Sequence, residues 1–129
     1  MKFFTDYNER ELLKVAKETG VAQVRKDVSF ARFLNHHDPD KLVCLRNEVC
    51  FILCSRHKDY LKIIGMAVIP IAQGKGYGRK LLSFAYQYAK GGGMQYLRTR
   101  TKSGAEFYAK HGFDVVGKKG DDFLMEYKL

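Results

Sequence analysis

Between positions 63 and 90 the chain changes character twice, in a way few folds accommodate. Ile63-Ile64-Gly65-Met66-Ala67-Val68-Ile69 is apolar without alternation, the pattern of a strand covered on both faces. Residues 79–90 carry Leu81, Leu82, Ala85, Tyr88 and Ala89 at helical spacing, and Gly91-Gly92-Gly93 ends that helix. Joining the two is Gln73-Gly74-Lys75-Gly76-Tyr77-Gly78-Arg79-Lys80. Glycines let a backbone take positive φ and approach a ligand closely. At a helix N-terminus, consecutive N–H groups and the helix dipole then favour phosphate oxygens. Lys75, Arg79 and Lys80 add positive charge. Two other phosphate loops are excluded. Gly74-Lys75 is followed by Gly76, not by the Ser or Thr of a P-loop, and no third glycine completes G-x-G-x-x-G. An ordinary strand-to-helix turn would use glycines too, so the loop needs its context.

That context is a mixed α+β domain. Asn8 and Glu11 open a helix over Leu12, Leu13, Val15 and Ala16 that Gly20 stops. Residues 26–35 read as a second helix with Val28, Phe30, Phe33 and Leu34 as its apolar positions. Residues 41–45, 49–55 and 61–69 read as strands joined by short polar turns, hence an antiparallel meander. After the loop and its helix, residues 95–101 form a further strand. Ser103 and Glu106 read as a capping box for a short helix ending at His111-Gly112. Residues 113–117 and 123–127 close as a hairpin across 118–122. Without repeats or a linker, residues 1–129 are expected to form one domain with helices packed on a sheet.

Composition narrows the setting. There is no apolar run near the ~20 residues of a membrane span, and the start Met1-Lys2-Phe3-Phe4-Thr5-Asp6 lacks the apolar core of a secretory signal. A cytoplasmic location is expected. Cys44, Cys50 and Cys54 are odd in number and not at zinc spacing, so no metal is expected. Cys50 and Cys54, an even separation apart, should share one strand face. Net charge is +9, and residues 62–119 hold eleven Lys and Arg against Glu106 and Asp114. A basic face suits a polyanion, either nucleic acid or a phosphorylated cofactor.

Here the residues resemble a known family. Q/R-x-x-G-x-G/A, after a strand ending V-x-P and before a helix, is the acetyl-CoA pyrophosphate loop of GNAT (Gcn5-related) N-acetyltransferases. Val68, Pro70, Gln73, Gly76 and Gly78 stand in that register. Ala105-Glu106-Phe107-Tyr108-Ala109-Lys110-His111-Gly112-Phe113 is similar to the family's second signature. The likeness is specific over residues 41–129. It implies a mostly antiparallel, twisted sheet of six to seven strands, with helices on both faces, splayed at a V-shaped acetyl-CoA cleft. It implies that Gln73, Gly74, Lys75, Gly76, Gly78 and Arg79 serve the cofactor pyrophosphate. Met66, Ala67 and Val68 would hold the pantetheine arm through backbone groups. Tyr108 would be the general acid toward the departing thiolate, sensibly so, since an unperturbed tyrosine (pKa about 10) is protonated at neutral pH.

The chain also departs from that pattern. Lys62 stands where many relatives place a Glu as base, and Thr101 is the nearest match to an Asn ahead of the short helix. No general base carries over; His57, Asp59 and Glu106 read better as turn or capping residues. The leading function is acetyl transfer from acetyl-CoA to a primary amine: a small amine, a protein amine, or an acidic or RNA-bearing acceptor such as aminoacyl-tRNA. Two other classes remain open: a nucleic-acid-binding module, and a non-catalytic CoA-binding regulator. Neither acceptor nor oligomeric state follows from the residues.

Overall fold

In a computed structural model, which describes residues 2–129, the side chain of Asn8 caps helix α1 (Glu9–Thr19) by accepting the N–H of Glu11 at 3.1 Å. Gly20 closes it at φ 66°. Helix α2 (Ala22–His37) extends beyond residues 26–35 at both ends, and its buried line is Val28, Ala31 and Leu34. Phe30 and Phe33, expected in its apolar set, are 46% and 56% exposed. The small Ala31 sets the packed face; the two large rings, on the other flank, fit a 3.6 period equally well on paper.

Strands β1 (Leu42–Arg46), β2 (Cys50–Arg56) and β3 (Tyr60–Val68) form the expected meander. Then come α3 (Tyr77–Gly91), β4 (Tyr96–Thr101), α4 (Ala105–Lys110), β5 (Asp114–Lys119) and β6 (Asp122–Lys128). The six-stranded sheet runs β1-β2-β3-β4-β6-β5, parallel only between β3 and β4. It is a mixed α+β fold with helices on both faces. Cys50, Ile52 and Cys54 face Leu81, Leu82 and Ala85 of α3, while Phe51 and Leu53 face Leu12 and Val15 of α1 and Val28 and Ala31 of α2. Serving two cores at once is why β2 is apolar from Cys50 to Cys54. Cys50 and Cys54 do share a face. All three cysteines are buried, and burial pushes the thiols of Cys44 and Cys50 up to about 12 and 11, the behaviour of inert core residues.

Two local expectations fail. The Ser103–Glu106 capping box does not form: the cap of α4 is Gly104, whose N–H donates to Thr101 Oγ1 at 2.8 Å. The Thr101 hydroxyl thus accepts the cap residue's own N–H, the bond a capping-box Glu106 would have made, and no side chain caps the first-turn amides of α4. The closing turn is also tighter than 118–122, because Lys118 and Lys119 stay paired with Phe123 and Asp122; Gly120, at φ 61°, makes the reversal.

Candidate active site

The site begins where two strands stop pairing. β3 and β4 hold register from Tyr60↔Tyr96 to Ile63↔Thr99 and no further, although β3 runs on to Val68 and β4 to Thr101. The β2–β3 register slips between Leu53 and Cys54, whose partners are Gly65 and Ile63, leaving Ile64 as the extra residue of a bulge. A bulge bends and twists its strand, here just as β3 leaves β4. Beyond it, the N–H of Ile69 donates to Val49 O at 2.9 Å. Antiparallel pairs alternate, so Ala67 and Gly65 turn their backbone groups to β2, whereas Met66 and Val68 turn theirs into the gap. Of the three residues expected to hold an extended ligand arm, Met66 and Val68 face it; Ala67 contributes only a small buried side chain.

The chain reaches the glycine loop through a single 3-10 turn, Pro70–Ala72. The Gln73 side chain reaches back and donates to Val68 O at 3.2 Å, bracing the loop against the end of β3. Gly74 and Gly76 have φ of 78° and 85°, and a Cβ on either would meet nothing within 4 Å. Both are needed for backbone conformation, and the space above them is open. Gly76 caps α3 without a side-chain acceptor, so the first-turn amides of Gly78 and Arg79 lie at a bare, electropositive helix end. Lys75 is exposed beside them. Gly78 differs: it is helical, and its missing Cβ would lie 3.3 Å from the Phe107 ring. It lets α4 close on α3. Arg79, on the outer side of α3, lines a pocket of about 180 Å³ with Ser83, Tyr86, His111 and Tyr127.

Phe107 precedes Tyr108, so the Gly78 contact also fixes that ring. Tyr108 is 6% exposed, packed edge-on to Phe113 at 5.2 Å. Burial pushes its phenol up to about 12, with a hydrogen bond to Thr99 pulling the other way. Thr99 is itself buried, donates to Ile63 O at 3.3 Å, and is the last β4 residue paired with β3. The phenol therefore sits at the apex of the gap with its proton held firmly. His57 lies at the opposite end of β3, stacked on Tyr60 at 4.4 Å and bonded to Ser55 Oγ at 3.0 Å. Burial and then Lys41, Lys62 and Arg98 lower its pKa. Asp59 is there too, its carbonyl accepting from Gln95 and Tyr96. Lys62 is exposed opposite Arg98, and Glu106 is exposed on α4.

A sequence model of the acetyltransferase (GNAT) domain matches residues 30–115. The chain belongs to the GNAT acetyltransferase family. Solved structures agree in fold. PaiA N-acetyltransferase from Thermoplasma acidophilum, in complex with coenzyme A, superposes at TM-score 0.79, with 21% identity over 100% of both chains. A putative GNAT acetyltransferase from Desulfovibrio desulfuricans gives 0.78 at 17% identity, over 99% of this chain and 97% of that one. Ard1 from Thermoplasma volcanium gives 0.73 at 15%, over 100% and 99%. No curated protein sequence matches the chain. No helix among the described residues is long and apolar enough to cross a membrane.

Within the GNAT frame, two polar residues at the gap escaped the sequence reading. Thr99 looks like any strand threonine until its pairing is known. Asp27 of α2 lies directly on β3: a Cβ built on Gly65 would be 2.2 Å from its Oδ2 and 2.8 Å from its Cβ. Burial raises its carboxyl to about 6, against a hydrogen bond from Gln23 at 2.9 Å. The legible signal was Gly65 itself, since a lone glycine inside an apolar strand marks a bulge or a close approach. Among the described residues no group of three or more His, Cys, Asp or Glu is placed to hold a metal ion.

Proposed function

We propose that residues 1–129 act as one catalytic domain, an acetyl-CoA-dependent N-acetyltransferase that passes acetyl to a primary amine by direct attack. The observation that carries this reading is the opening between β3 and β4, which begins at Thr99 and leads to a glycine-built helix N-terminus. An extended pantetheine arm fits as an added strand, exchanging hydrogen bonds with the gap-facing groups of Met66 and Val68. The pyrophosphate fits over Gly74 and Gly76, where no side chain intrudes, and meets the α3 amides with Lys75 beside them. Gln73 holds that loop to the strand. These groups bind and orient the thioester; positioning alone supplies much of such a rate enhancement.

Tyr108 is the proposed acid. Its phenol, raised to about 12, keeps its proton at any working pH and donates a hydrogen bond to the sulfur as the C–S bond lengthens. The CoA bound by the Thermoplasma acidophilum relative supports the choice of co-substrate. The basic surface serves the cofactor first. Arg98 and Arg100 on β4 are matched by Glu126 at 2.8 Å and Asp122 at 2.5 Å, which leaves less bare charge for a nucleic acid than the sequence suggests. An acidic or RNA-bearing acceptor is still compatible with a net charge of +9.

The test is release of free CoA thiol from acetyl-CoA across a panel of small amines, peptide N-termini and aminoacyl-tRNA. Acceptor-dependent release supports transfer. Binding of acetyl-CoA with no release from any acceptor would favour a CoA-binding regulator.

A further inference from the structure

We propose that Asp27 is the general base that takes the proton from the incoming amine. This rests on the acetyltransferase reading above and supplies the one catalytic group that reading lacks.

The geometry is specific. α2 is seated so closely on β3 that Asp27 occupies the volume a side chain at position 65 would fill. Gly65 follows Ile63, the last residue paired with β4, by two positions, so the carboxylate lies beside the start of the gap. Tyr108 reaches the same place from the other side: it belongs to the core under α3 and bonds Thr99, while α2 covers the opposite face. The charge of Asp27 is felt by the Tyr108 phenol. Nucleophile and leaving group occupy different sides of a reacting carbonyl, so a base and an acid are wanted on different faces, as here.

The surroundings suit a base. On its own helix Asp27 meets Gln23, whose Nε2 donates to Oδ1 at 2.9 Å. From β3 it meets Gly65, which carries nothing to titrate. Across the gap it bears on Tyr108, and burial outweighs the Gln23 hydrogen bond in setting its proton affinity. With its carboxyl raised to about 6 by burial, Asp27 is mostly ionised at neutral pH yet more basic than an exposed aspartate, the compromise a general base requires.

The step balances. An ammonium R–NH3+ gives one proton to the Asp27 carboxylate, and the freed lone pair forms the N–C bond to the acetyl carbonyl carbon. The C–S bond breaks with its electron pair going to sulfur, which takes the Tyr108 proton to become CoA thiol. The second nitrogen proton returns to the Tyr108 phenolate directly or through water. Asp27 then releases its proton to solvent, and the products are the N-acetyl amine, CoA and one proton.

The experiment compares wild type, Asp27→Asn and Asp27→Ser, each checked for folding by its thermal shift with acetyl-CoA, using an amine the wild type accepts. In the wild type, kcat/KM for total amine is expected to fall below about pH 6 and level off above it. In both variants it should be about 100-fold or more lower near pH 7 and rise roughly tenfold per pH unit as the amine deprotonates in solution, with the acetyl-CoA shift retained. Variants that keep the wild-type rate and plateau would overturn the role of Asp27 alone. A wild type with neither an acetyl-CoA shift nor transfer to any amine would overturn the acetyltransferase reading, and this inference with it.

Discussion

At the scale of single residues, burial raises the proton affinity of Tyr108 and Asp27, which the proposed mechanism puts to opposite uses. Tyr108 becomes a firmer proton holder. Tyr108→Phe keeps the ring and its contacts, loses the bond to Thr99, and should cost about 1 kcal/mol of stability. Turnover should fall by about 100-fold with acetyl-CoA affinity nearly unchanged; steady-state kinetics beside a binding titration separates the two, and normal turnover would return Tyr108 to the core. Asp27 carries a cost the fold tolerates. Its folded value of about 6 lies above the 3.8 of an ordinary aspartate, so the folded state disfavours its charge. The stability it contributes is present below about pH 4 and lost as pH rises through 6. Asp27→Asn should therefore be more stable than wild type at pH 7.5, by about 1 kcal/mol once solvent screening of a part-exposed carboxylate is allowed for, and lose that advantage near pH 4. A variant less stable than wild type at neutral pH would mean that the carboxylate is a structural contact.

At the scale of elements, glycine decides what approaches what. Gly65→Ala puts a methyl 2.8 Å from the Asp27 Cβ as well as 2.2 Å from its Oδ2, so rotating the carboxylate cannot relieve the clash and α2 must lift from β3. Overpacking of this kind costs about 1–3 kcal/mol; denaturant unfolding should register it, and an unchanged midpoint would show that α2 is not held as described. Several elements were legible because their signals are local: Asn8 and Gly20 at the ends of α1, and the glycine run before α3. The double coverage expected of the third strand belongs in full to β2, since Ile64, Met66 and Val68 of β3 are only half-buried. What stayed illegible depended on contacts between distant segments. Phe30 and Phe33 could not be sorted from Ala31 without knowing which flank meets the sheet. Ser103 does not cap α4 because the helix starts one residue later, behind Gly104, whose N–H is held by Thr101 at the end of β4. Gly78 was read with Gly74 and Gly76 as a loop glycine, although it spares room for Phe107 on a helix that the sequence places far away. Gly65 marks a close approach without saying which segment approaches, so Asp27 could not be named from the sequence.

At the scale of the whole molecule, a sheet that parts its two central parallel strands gives up hydrogen bonds from β3 beyond Ile63. It recovers them, on this account, when a ligand lies in the gap. Net charge of +9 adds a field that draws a polyanionic cofactor and weakens with salt. Acetyl-CoA affinity is expected to fall roughly three- to tenfold between 50 and 500 mM NaCl; salt-independent binding would mean that the charge serves something else. The central claim, that the loop and gap hold acetyl-CoA, is tested most directly by thermal melts of wild type and Gly76→Glu with increasing acetyl-CoA. The wild type should shift upward with saturation, as any ligand bound only by the native state requires. Gly76→Glu, strained at φ 85° and carrying a carboxylate at the pyrophosphate site, should still fold, melt lower than the wild type by about 1–3 kcal/mol of lost stability, and not shift. No shift in the wild type at millimolar acetyl-CoA, or equal shifts in both proteins, would contradict the account.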